Sequence, residues 1–229
     1  MNAFQIRTFS VPALAFLLFA GGAAAQETSS SLLNTLEVQQ LVKRAEPNDN
    51  ARLADHFNAR ADRYVAEANR HTSMSKSFIG NPSRNLGTGM SVHCKQLADL
   101  STQSAAEARE LATYHQKLAS GAVATPPTVG TRFEAGAGAA VPTDRELNGL
   151  AVKAGTPADH HNLEEYFLTL AQRSTADANQ HLATANSYRG TRMAQAADHC
   201  DRLVTLSRNA AKKATEAAAM HKQLAGVAR

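Results

Sequence analysis

The feature that most restricts what this chain can fold into is an internal duplication. At an offset of 110 residues, Lys43, Pro47, Asp49, Leu53, Phe57, Arg63, Ala68, Asn69, His71, Ser77 and Gly80 fall on Lys153, Pro157, Asp159, Leu163, Phe167, Arg173, Ala178, Asn179, His181, Ser187 and Gly190. Beyond that glycine the offset becomes 106. His93, Cys94, Leu97, Leu100, Ser101, Glu110, His115, Leu118 and Ala119 then fall on His199, Cys200, Leu203, Leu206, Ser207, Glu216, His221, Leu224 and Ala225. The change of four lies within residues 79–89 (IGNPSRNLGTG), where Asn-Pro and Gly-x-Gly mark a loop, so it disturbs neither flanking segment.

Each repeat reads as a short helix followed by a long helical hairpin. Met90, Cys94, Leu97, Ser101, Ser104, Ala108, Leu111, His115 and Leu118 recur at alternating spacings of four and three, as do Ala196, Cys200, Leu203, Ser207, Ala210, Ala214, Ala217, His221 and Leu224. That is the seam of a helix facing other helices in a bundle. The preceding helix carries the same pattern at Phe57, Ala61, Tyr64, Ala68, His71, Ser75 and Phe78, matched by Phe167, Ala171, Ser174, Ala178, His181, Ala185 and Tyr188. Pro47 and Pro157, each followed two residues later by an acid, are suited to a first helical turn. Thr156 suits an N-cap, and Thr143-Asp144-Arg145-Glu146 has the form of a capping box. The spacing predicts short helices near 33–45 and 143–154, and long ones ending near 78, spanning 90–118, and near 158–189 and 193–225. The expected fold is all-α and four-helix-bundle-like: two duplicated antiparallel hairpins, each preceded by a short helix.

Residues 1–25 hold a single charged side chain, Arg7, then the apolar run VPALAFLLFA and Ala23-Ala24-Ala25, the form of a secretory signal peptide. The apolar run is shorter than the roughly 20 residues a membrane span needs. The organisation read from the chain is a signal peptide over 1–25, a first helical repeat over 26–120, a flexible Gly/Ala/Pro-rich linker over 121–142, and a second repeat over 143–229. The expected location is periplasmic or secreted. Of 24 basic and 20 acidic residues, loss of the leader removes one arginine and leaves a net charge of +3. With no run of five or more like charges, this points away from nucleic acid and from stable membrane insertion after the leader is removed.

The informative residues sit on the seams, where a design for stability alone would place leucine. His71, Cys94 and His115, with His181, Cys200 and His221, all face inward, while His93 and His199 lie one residue, about 100°, off the stripe. Imidazole with thiolate suits copper, zinc or nickel better than calcium or magnesium. The leading expectation is non-catalytic binding of such a metal by His71, His93, His181 and His199. Cys94 and Cys200 would be either ligands or a disulfide meeting on a pseudo-twofold axis. His115, His221 and His160 form a secondary candidate set. Glu67 and Asp177 precede His71 and His181 by four residues, so a carboxylate can orient each imidazole, whether it serves as a ligand or as a hydrogen-bonded core residue. Met74 and Met90 add soft donors in the first repeat, but Thr184 and Ala196 stand at their duplicate positions.

Other classes fit less well. A b-type haem between inward histidines is the weaker cofactor reading, and covalent haem is excluded because no Cys-x-x-Cys-His occurs. There is no His-Glu-x-x-His, Gly-x-Ser-x-Gly or Gly-rich phosphate loop, so a non-enzymatic role is expected. The competing reading is a disulfide-stapled structural, interaction or chaperone-like envelope protein, whose partner would be another envelope protein. The 22 residues of 121–142 can span either a parallel or an antiparallel arrangement of the halves, which leaves open which histidines meet.

Overall fold

The computed structural model describes residues 32–79, 89–120 and 142–227. Residues 1–25, most of the linker expected over 121–142, and most of the hairpin loop 79–89 lie outside the described residues. Among those described there are six helices and no strand: α1 (Thr35–Arg44), α2 (Pro47–Ile79), α3 (Gly89–Ala119), α4 (Asp144–Lys153), α5 (Pro157–Tyr188) and α6 (Gln195–Val227). None is long and apolar enough to cross a membrane.

The helix starts follow local chemistry. Thr143 caps α4 and Thr156 caps α5, each in a reciprocal box with Glu146 or Asp159. Asn34 and Glu37 form a third box on α1 that the sequence reading did not single out. At α2 the first-turn acid has a further partner: Asp49, buried, accepts from the Arg44 guanidinium at 2.6 and 3.1 Å and so ties α1 to α2.

Helix α2 pairs with α3, and α5 with α6, as the two expected hairpins. Helices α3 and α6 then pack directly on each other. Their facing seams carry Ser101, Ser104, Ala108, Ser207, Ala214 and Ala217, all buried, and residues this small let two backbones approach. Helices α2 and α5 carry larger groups and meet across a wider gap, bridged by side-chain contacts such as Arg60–Asp177 and Tyr64–His181. The register is antiparallel in both pairs. Along α3/α6, His93 faces Glu216 and His199 faces Glu107; along α2/α5, Arg60 faces Asp177 and His71 faces Phe167. The halves are thus related by a pseudo-twofold axis across the helices, passing near Tyr64, Ser174, Ser101 and Ser207.

Each end of the bundle therefore joins the helix starts of one repeat to the hairpin end of the other. One core cluster holds Met74, Phe78, Met90 and Cys94 of the first repeat with Leu163, Tyr166 and Phe167 of the second, closed by Leu147 and Ala151 of α4. The other holds Tyr188, Met193 and Cys200 of the second repeat with Leu53, Phe57 and Leu111 of the first, closed by Val38, Leu41 and Val42 of α1. Full burial of each such Leu or Phe is worth roughly 1.5–3 kcal/mol.

Candidate functional site

The antiparallel arrangement decides which candidate residues meet. His71, His93, His181, His199, Cys94 and Cys200 do not converge. Among the described residues no group of three or more His, Cys, Asp or Glu side chains is arranged to hold a metal ion. The disulfide expected between Cys94 and Cys200 is corrected outright, because both cysteines are free, buried, and in different core clusters. The α3/α6 register puts Cys94 level with about residue 214, some 14 residues beyond Cys200, or roughly 21 Å along the helix. A disulfide requires Cα atoms within about 7 Å. Burial pushes the Cys94 thiol up to about 12, and burial with the neighbouring Asp201 does the same for Cys200, so neither is a thiolate at neutral pH.

The histidines sort into three kinds of site. His93 and His199, at the seam edge as expected, pair with carboxylates of the opposite half: His93 Nδ1 lies 3.6 Å from Glu216, and His199 Nδ1 lies 2.9 Å from Glu107. His199 thus joins α6 to α3 by a hydrogen bond, whereas His93 Nδ1 lies beyond hydrogen-bond distance of its carboxylate.

His115 and His221 lie deep at opposite ends. The His115 ring stacks on Phe57, with Nδ1 2.8 Å from Asn50 Oδ1 and Nε2 2.7 Å from the Tyr188 hydroxyl, so both ring nitrogens are partnered. His221 stacks likewise on Phe167, but His160 stands where Asn50 would be, at 3.3 Å between Nδ1 atoms, and Phe78 stands where Tyr188 would be. The phenylalanine has no hydroxyl, and His221 Nε2 is buried without a partner. Burial pulls His115 down to about 4 and, with help from His160, His221 to about 3, so both rings are neutral.

His71 and His181 differ most sharply. His181 Nε2 accepts from Arg60 Nη1 at 2.9 Å and meets the Tyr64 hydroxyl at 2.8 Å. Burial, then the Arg60 charge, holds its pKa well below the ordinary histidine value. The residues duplicating Arg60 and Tyr64 are Leu170 and Ser174, so His71 has no such donors. It is fully buried against Phe167 and Tyr166. Its Nε2 lies 3.2 Å from Glu67 Oε1 at an angle short of a good hydrogen bond, and its Nδ1 has no partner. Burial opposes charge on Glu67, but His71, Arg70 and Arg173 outweigh it and hold the carboxyl down at about 2.

Soft donors lie at this level. Ser75 Oγ donates to the Ser91 carbonyl at 2.9 Å, which fixes the α2/α3 register. Counted from that bond, His71, Cys94, Met74 and Met90 fall within about five residues along the hairpin, roughly 8 Å. Met74, Met90 and Cys94 are each fully buried in one cluster, with the aromatic rings that pack on His71.

Two cavities border these elements. A cleft of about 50 Å³ opens between α2 and α5 over α3 and α6; Arg60, Arg63, Glu67, His71, Arg173 and Ser207 are among its walls. A larger groove of about 870 Å³ beside α4 and α5 is lined by no histidine or cysteine. No family model matches the chain, and no curated protein or solved structure matches it.

Proposed function

We propose that this is an exported, non-catalytic helical-bundle protein that binds one soft transition-metal ion, copper in its cuprous state, in the first repeat. His71 and Cys94 are the principal ligands, with Met74 and Met90 as thioether donors. The observation that carries the reading is the asymmetry between duplicates. His181 has two protein partners, and Thr184 and Ala196 stand at its methionine positions, whereas His71 has an unpartnered Nδ1, a carboxylate beside Nε2, and two methionines as well as a cysteine at its level. A buried polar nitrogen without a partner costs on the order of 1–3 kcal/mol, and a metal ion held there removes that cost. The apolar surroundings suit a monovalent soft ion over a divalent one, since desolvation penalises charge. Zinc and nickel, which ask for more and harder ligands, suit the site less.

The test is anaerobic titration of the mature chain with copper(I) against a competing chromophoric chelator, with zinc and nickel in parallel. One equivalent of copper(I) is expected to bind. Binding should weaken by about a hundredfold, the scale of losing one principal ligand, in His71→Ala and in Cys94→Ser. It should be nearly unchanged in His181→Ala and Cys200→Ser. Since Cys94 is a thiol in the folded protein, uptake should release a proton and tighten as pH rises. Failure to take up copper(I), or equal sensitivity at His181, overturns the proposal and leaves the interaction or chaperone-like reading.

A further inference from the structure

The duplicated arginines Arg63 and Arg173 make no close ion pair in the contacts above, and the duplicated serines Ser101 and Ser207 lie on the α3/α6 seam. All four line the small cleft at the pseudo-twofold axis. Along α3/α6 the contacts His93–Glu216 and His199–Glu107 put Ser101 and Ser207 at the same level. On the α2/α5 side, Arg63 and Arg173 adjoin Tyr64 and Ser174 at the same axis. The internal symmetry therefore brings two like charges to one cleft.

Arg173 acts on the Glu67 carboxyl from a distance, but neither arginine is closely paired. Among the described residues neither Arg63 nor Arg173 has an ion pair within 4 Å, whereas the cleft's two acids are engaged: Glu67 with Arg70 and His71, Asp177 with Arg60. A third guanidinium, Arg60, is only 4% exposed and lines the cleft. Its terminal nitrogens are taken by His181, Asp177 and Gln180, but its Nε is buried with no partner. A buried guanidinium N–H without an acceptor is costly, and its presence in a serine-lined wall beside two unpaired arginines points to an acceptor from outside the protein.

We propose that the axial cleft binds a small oxyanion, a carboxylate, sulfate or phosphate group, between Arg63 and Arg173. The Arg60 Nε–H would donate from the wall, and the hydroxyls of Ser101 and Ser207 from the floor. The planar fork of arginine matches such a group in two-point fashion, which a lysine in its place would not. About 50 Å³ holds a few waters or one such group, so the ligand is small or presents only its anionic end. The cleft shares the His71 wall with the proposed metal site but needs neither Cys94 nor the methionines.

The experiment is calorimetric titration of the mature protein at low ionic strength with inorganic phosphate, sulfate and succinate as separate arms. At least one should bind with Kd below about 1 mM, and added chloride should weaken it. Arg63→Ala and Arg173→Ala should each weaken it by about tenfold or more, and Arg63→Lys should restore only part of the loss. Arg208→Ala on α6, outside the cleft, and Cys94→Ser should bind as the parent does. Because neither Arg63 nor Arg173 makes an ion pair within 4 Å, both variants should keep the parent's helical circular dichroism. Absence of binding by all three anions to 10 mM (about the weakest Kd the method resolves), or binding indifferent to both arginine variants, overturns the proposal. The arm that binds most tightly identifies the oxyanion class.

Discussion

At the scale of single residues, duplication supplies its own control. His115 and His221 occupy equivalent places, yet only His115 has both ring nitrogens partnered, because Tyr188 carries a hydroxyl where Phe78 carries none. Tyr188→Phe should therefore cost about 1–3 kcal/mol in urea unfolding, the penalty of an orphaned buried group. Phe78→Tyr, which restores a donor near His221 Nε2, should raise stability by about 1 kcal/mol. If Phe78→Tyr destabilises the protein, the hydroxyl does not fit and the equivalence of the two ends is only approximate. The cysteines give a second residue-scale expectation: intact mass and melting temperature should be unchanged by reductant, since Cys94 and Cys200 are free and far apart along α3/α6. A two-dalton gain on reduction would contradict that placement. Seam spacing marked His71, His115, His181, His221 and both cysteines as inward, and all are buried. Arg60 also falls on a three-four spacing between Phe57 and Tyr64, but spacing gives no reason to bury a charge; its partners Asp177 and His181 on α5 do.

At the scale of elements, boundaries were legible because they are local. Proline, the capping boxes and the glycine-rich loop act within a few residues, and α2 to α6 begin and end within about three residues of where those signals stand. What each short helix covers was not legible. Helix α4 closes the cluster around Met74, Phe78, Met90 and Cys94, with Leu147 fully buried beneath it. Leu147→Ala should cost about 2–5 kcal/mol, the usual toll of a cavity in a closed core. If α4 truly seals the cluster, that variant should also speed reaction of Cys94 with a thiol reagent while leaving Cys200 slow. Equal rates at the two thiols would show that α4 does not protect this end.

At the scale of the whole molecule, buried neutral histidines set the pH response. Burial, then the Arg60 and Arg63 charges, holds His56 down at about 3; His221 stands at about 3 and His115 at about 4. In the unfolded chain these rings titrate near 6.5. Between about pH 6.5 and 4 the unfolded state thus binds protons that the folded state refuses. Stability is full above that window and falls as pH drops through it, by up to roughly 1.4 kcal/mol per pH unit for each histidine. Glu67, held at about 2, adds loss of the same sign below its ordinary range near 4.5. Thermal melts should be level from pH 7.5 to 8.5 and fall steeply between pH 6.5 and 4.5, a window set by these ring pKa values. A melting temperature unchanged down to pH 5 would mean that the rings are hydrated in solution.

The chain alone determined the repeat, the helices, and the stripe each helix turns inward, because periodicity, caps and loop signals are properties of neighbouring residues. Only the tertiary structure decided that the halves pack antiparallel, since a 22-residue connection permits either arrangement. The small residues of α3 and α6 drew those helices together and left α2 and α5 apart across the arginine-lined cleft. That one choice separated the cysteines, sent His115 and His221 to opposite ends, and brought Arg60 and Tyr64 onto His181 but nothing equivalent onto His71. The duplicated residues were readable in the sequence; the partners that Arg60 and Tyr64 give His181, and Tyr188 gives His115, were not, because each comes from the other repeat.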